Sequence, residues 1–238
     1  MTQQLIARSL LGMASALFVC SQSGASFNSN AATFAVVSTA GTATANDTAT
    51  LLAPGVYSHT GLWAVPGASI SWTSNVLGWS EATRSGFLNS NIVIKNNTAS
   101  TQTFTFSVVM PGDVTGPVTI GGSVGGQFVN GSAGLGQLTS SGPLWSAIID
   151  GAPINTQLSN ALFFAPPFAV ASLGSYNFSN QSFGGSIASG AGITFALTMT
   201  AGGEASFSSN FNFQAVPAPG ALALLGFATL AGARRRRN

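Results

Sequence analysis

Side-chain catalysis needs titratable groups held close together, and this chain supplies few: one histidine, His59, one cysteine, Cys20, and the acids Asp47, Glu81, Asp113, Asp150 and Glu204. A serine nucleophile needs a histidine base. His59 stands in Tyr57-Ser58-His59-Thr60-Gly61, a turn-like context, and no nucleophile-elbow pattern occurs anywhere. It is read as a surface or turn histidine. Transition-metal sites need clusters of His and Cys, which these two residues cannot form. Two carboxyl groups could cleave a glycosidic bond if they met, but no spacing favours a pair. Asp113 follows Pro111-Gly112 and Asp150 precedes Gly151, both turn chemistry, while Glu81 has Arg84 three residues on as a partner. Asp47, Asp113 or Asp150 could hold calcium with backbone carbonyls, yet no EF-hand or nonapeptide pattern is present. The expectation is therefore no catalytic residue, no resident metal and no cofactor.

Binding has better footing. Trp63, Trp72 and Trp79 lie close in sequence, and exposed indole faces stack sugar rings. Ile70 and Trp72 share one strand face, and Trp145 begins an apolar run to Ile149, so Trp72 and Trp145 are assigned to the core. Trp63 and Trp79 are left as the candidates for ligand stacking. Asn46, Asn96, Asn130, Asn177 and Asn180 match the N-glycosylation pattern, which in a chain so rich in Asn, Ser and Thr is ascribed to chance.

The elements that must carry these residues follow from composition and period. Of 238 residues only 5% are charged, whereas Ser and Thr number 53, so hydroxyls and amides must solvate the surface. Five of the seven cations lie near the termini, leaving Arg84 and Lys95 against five acids, a net charge of −3 for the body. Such a body cannot offer phosphates a basic face, and nucleic acid is excluded as a partner. Apolar residues alternate with hydroxyls over 103–108 and 193–200, which is the period of half-buried strands. Further strands are predicted at 33–38, 68–73, 87–95, 117–120, 126–130, 144–150, 161–168, 176–183 and 205–213. Residues 31–50 read as a lead-in or edge strand. Pro-Gly at 111–112, Asn-Gly at 130–131 and Asp-Gly at 150–151 are read as turns, and the Gly-rich run 121–126 as bends or bulges. No helix and no repeat is evident. About ten strands with one apolar face each predict an all-β fold, a single jelly-roll-like β-sandwich over residues 26–213.

Both ends differ from this body. Residues 1–25 read as a secretory signal peptide, with Arg8 in the basic region, an apolar core at 10–19 and a small-residue site at Ser23-Gly24-Ala25. Cys20 leaves with it, so the mature chain would hold no thiol. At the other end Val216-Pro217-Ala218-Pro219 precedes the apolar run 220–233 and then Arg234, Arg235, Arg236 and Arg237. Prolines end the preceding strand, the apolar segment enters a membrane as a helix, and the arginines stop it on the cytoplasmic side. Fourteen residues give roughly 21 Å of helix against a hydrocarbon core of about 30 Å, which suits temporary anchoring better than permanent.

This tripartite tail, residues 214–238, resembles the PEP-CTERM sorting domain. The family motif Pro-Glu-Pro corresponds to Pro217, Ala218 and Pro219, with Ala218 at the central place. The resemblance implies export, transient membrane anchoring through the C-terminal helix and processing by an exosortase-like enzyme in a bacterium. It covers only the tail. The body is expected to be a non-enzymatic cell-surface or extracellular-matrix domain. The alternatives are a carbohydrate-binding module of the envelope, with extracellular polysaccharide as partner, and a secreted glycan-active enzyme.

Overall fold

The computed structural model describes residues 25–80 and 82–216. The expected signal segment up to residue 24, Glu81, and the tail from Pro217 onward with its four arginines lie outside the described residues. The described residues are mostly strand: β1 (Ala25–Phe27), β2 (Thr33–Ser38), β3 (Asn46–Ala53), β4 (Val56–Val65), β5 (Ala68–Ser80), β6 (Ser85–Asn96), β7 (Gln102–Val114), β8 (Val118–Asn130), β9 (Gly136–Thr139), β10 (Pro143–Ile149), β11 (Ala152–Ser159), β12 (Leu162–Ala165), β13 (Val170–Phe183), β14 (Gly190–Met199) and β15 (Gly203–Ala215). A single 3-10 turn, Ser29–Ala31, is the one helical element among them.

Two antiparallel sheets form. One has eight strands along the order β1-β7-β14-β10-β11, with β2 also on β7 and β9, carrying β12, on β14. The other has seven, in the order β13-β8-β15-β6-β5-β4-β3. Their inner faces are the apolar halves of the period-two pattern: Phe104, Phe106 and Val108 of β7 are fully buried, while Thr103, Thr105 and Ser107 point out. Aromatic rings interlock between the layers, Phe195 with Phe207 at 4.9 Å and Trp72 with Phe106 at 5.3 Å between centroids. Trp145 crosses the core and donates its indole N–H to Ser209 Oγ at 2.8 Å. The expected all-β sandwich is the architecture found.

Several local expectations need correction. Pro111 and Gly112 lie inside β7, not in a turn; Pro111 faces Gly190, the first residue of β14, at the margin of the ladder where a strand tolerates proline. The glycine run 121–126 continues the ladder, so the two short strands predicted around it are one, β8. A side chain at Gly126 would collide with the Ser206 carbonyl, its Cβ only 2.4 Å away, so close strand packing is what requires glycine. The turn-like stretch around His59 is the middle of β4, and β9 and β11 were hidden by their short or polar composition, whereas β3, which begins within the stretch 31–50 read as a lead-in or edge strand, is the edge of the seven-stranded sheet. Asp150-Gly151 is a turn as expected, both residues at positive φ.

The chain enters and leaves this body at one end. Ala25 pairs opposite Val114, and the Val216 N–H donates to the Pro117 carbonyl at 3.0 Å, so both exits flank the short β7–β8 connection. β15 reaches Ala215, two residues past the expected boundary. At the far end of β15, Gly203 lies between Asn96 and Asn130.

Candidate functional site

The side chains most suggestive of catalysis form a closed cluster. His59 is 1% exposed, its Nδ1 2.7 Å from Asp47 Oδ2 and its Nε2 2.8 Å from the Ser29 carbonyl. It is therefore a buried strand residue and not a surface one. A carbonyl only accepts, so Nε2–H donates to Ser29, while Nδ1 closes the hydrogen bond to the Asp47 carboxyl. Trp72 Nε1–H donates to the other oxygen of Asp47 at 3.1 Å. The geometry depends on Gly61, which stands in register between Asp47 and Trp72. A Cβ there would lie 2.1 Å from the indole, so only glycine lets Trp72 reach across β4 to β3. Phe34 covers the assembly, 5.2 Å from both the Trp72 and His59 rings. With Nε2 capped by backbone, this histidine has no atom left to serve a substrate. It fastens the 3-10 turn to the edge of the seven-stranded sheet.

Asp113, expected in a turn, lies exposed inside β7, and Glu204 and Asp150 are engaged separately. Glu204 pairs with Lys95 at 2.8 Å on the surface, where such a pair is worth little. The Asp150 carboxylate accepts from the backbone N–H groups of Ala188, Ser189 and Gly190 and from the Ser189 hydroxyl, which ties the β10–β11 turn to the loop before β14. Burial pushes its carboxyl up, but these four donors outweigh burial and hold it below its usual value. Among the described residues no three His, Cys, Asp or Glu side chains come together.

The stacking candidates do not form a platform. Trp63 is 1% exposed and belongs to the core, which corrects its reading as a ligand face. Trp79 is half-buried, packed on the core with its ring 6.3 Å from Phe213 and nearly parallel to it. Trp72 and Trp145 are core residues, as expected. Of the sorting motif, Val216 is described and lies at the exit from β15, while Pro217, Ala218 and Pro219 fall outside.

The outer faces of the two sheets differ in how their polar side chains are used. On the eight-stranded sheet the hydroxyls satisfy one another, Thr103 with Thr198 and Ser107 with Thr194, both at 2.9 Å. On the seven-stranded sheet, Asn91 of β6, Gln127 of β8, and Ser206 and Ser208 of β15 make no side-chain hydrogen bond among the described residues. These four line an open groove of about 570 Å³ that crosses β6, β15, β8 and β13. Gly125 forms its floor, because β8 has no outward side chain there, and Val93 and Val170 supply apolar surface. Sequence reasoning looked to tryptophans and missed this groove. The available signal was the glycine run itself, set inside a strand between hydroxyl-rich neighbours. Compared with known proteins, the chain matches no family model and no curated protein.

Proposed function

We propose that this protein is an exported, non-enzymatic component of a bacterial cell surface or extracellular matrix, carried across the membrane by its N-terminal segment and sorted through residues 214–238. The observation that carries the reading is the shared exit: Ala25 and Val216 leave the sandwich at one end, beside the β7–β8 connection. The expected leader and the expected sorting tail are thus joined to the sandwich at neighbouring points. Partners on this reading are the export machinery, an exosortase-like processing enzyme and the membrane itself, contacted through the C-terminal helix. The chain passes repeatedly between sheets, from β6 to β7 to β8 and from β13 to β14 to β15, which supports the finer jelly-roll-like description. Mass spectrometry of the surface form tests the proposal: a C-terminus between Pro217 and Gly220 is expected. Recovery of an intact Arg237 on mature protein would overturn it.

A second reading, a carbohydrate-binding module of the same location, is favoured by the open groove on the seven-stranded sheet. It no longer rests on tryptophan stacking.

A further inference from the structure

We infer that the groove floored by Gly125 binds a neutral polysaccharide chain laid across strands β6, β15, β8 and β13. The inference rests on the carbohydrate-binding reading and assigns it a site and a ligand class.

Three features select the ligand. The first is unused hydrogen-bonding capacity. The Asn91 and Gln127 amides and the Ser206 and Ser208 hydroxyls offer donors and acceptors together, on three adjacent strands roughly 4.8 Å apart, with no side-chain partner among the described residues. A polyhydroxylated chain, itself both donor and acceptor at short intervals, matches that array. The second is charge. The groove lining contains no ionisable side chain, and the nearest pair along the same strands, Lys95 and Glu204, neutralises itself at 2.8 Å. An anionic polymer or a nucleic acid would gain nothing there, since such binding is driven by release of counterions from the phosphates or carboxylates. The third is shape. The groove is open and crosses the strands, and Val93 and Val170 can lie against the C–H face of a sugar ring while the amides take its hydroxyls. An enclosed pocket for a small molecule would bury its ligand on most sides, and this one does not.

Affinity electrophoresis of the full chain in gels containing a soluble neutral β-glucan, with alginate gels as the anionic comparison, reads the inference directly. Retardation by the glucan and none by alginate is expected. The Asn91→Ala/Gln127→Ala double variant, altered only at surface positions, is expected to bind about tenfold more weakly, the loss of two modest hydrogen bonds. Thr105→Ala, on the outer face of the other sheet, should bind like the parent and shows that a surface change alone is harmless. Glucan binding that the double variant retains in full would overturn the groove assignment while leaving the carbohydrate reading intact. Absence of retardation by the glucan, or equal retardation by alginate, would overturn both.

Discussion

Asn96 and Asn130 face Gly203 from opposite sides, one on β6 and the other on β8, and each closes the same set of hydrogen bonds. Asn96 Oδ1 accepts from the Thr98 N–H and hydroxyl, while its amide donates to the carbonyls of Ser100, Met199 and Thr200. Asn130 Oδ1 accepts from the Ser132 N–H and hydroxyl, and its amide donates to Gly134, Ala165 and Pro166. Both side chains are fully buried, and both reach from the seven-stranded sheet to carbonyls at the end of the other. The Asn-x-Ser/Thr spacing at these two positions is thus turn chemistry: the hydroxyl two residues on is there to satisfy the amide oxygen.

Replacing either asparagine by alanine orphans two or more carbonyls and two donors at once. A loss of about 2–4 kcal/mol in urea unfolding is expected for each. Because the two share no partner, the double variant should lose close to the sum. Asn→Asp should be nearly as costly as alanine, since a carboxylate cannot donate to the carbonyls.

The Asp47 cluster gives a second test. Asp47→Ala leaves the buried His59 and Trp72 donors without an acceptor and should cost about 2–4 kcal/mol, whereas Asp47→Asn keeps one acceptor oxygen for Trp72 and should cost less. Gly61→Ala forces the indole away from Asp47 and should destabilise by about 3 kcal/mol or more, with a change in tryptophan near-ultraviolet circular dichroism. An unchanged spectrum in Gly61→Ala would contradict the crossing described for Trp72.

Asp150 predicts a pH dependence. Its folded carboxyl is held below the ordinary 3.8, so the stabilisation it provides is complete above the unfolded value and disappears as pH falls through the folded one. Asp150→Asn should therefore lower the thermal midpoint at neutral pH. The gap between variant and parent should narrow below about pH 4 as both carry an uncharged group. A gap that stays constant from pH 7 to 3 would show that the carboxylate charge contributes nothing.

Phe168 offers a change in the opposite direction. It sits at φ +54° in the turn closed by the Ala169 N–H on the Pro166 carbonyl, and the residue is 73% exposed. A bulky residue gains nothing from that backbone, which asparagine adopts more readily. Phe168→Asn should raise stability by about 0.5–1 kcal/mol in chemical denaturation.

What the sequence determined by itself was the local physics. Alternation of apolar and hydroxyl residues at 103–108 and 193–200 specifies strands with one buried face, and that pattern survives any arrangement of neighbours. The scarcity of charge likewise dictates a surface of hydroxyls and amides, whatever the topology. Only the tertiary structure decided which polar groups are spent and which are open. Asn96 finds the Met199 carbonyl 103 positions along the chain, and His59 finds Asp47 and Ser29 on other elements. Trp63 disappears into the core while Asn91 and Gln127 stay on the surface with no side-chain partner among the described residues. A hydrogen bond between distant residues depends on strand order and register, and these are set by how two whole sheets pack, which no window of neighbouring residues contains.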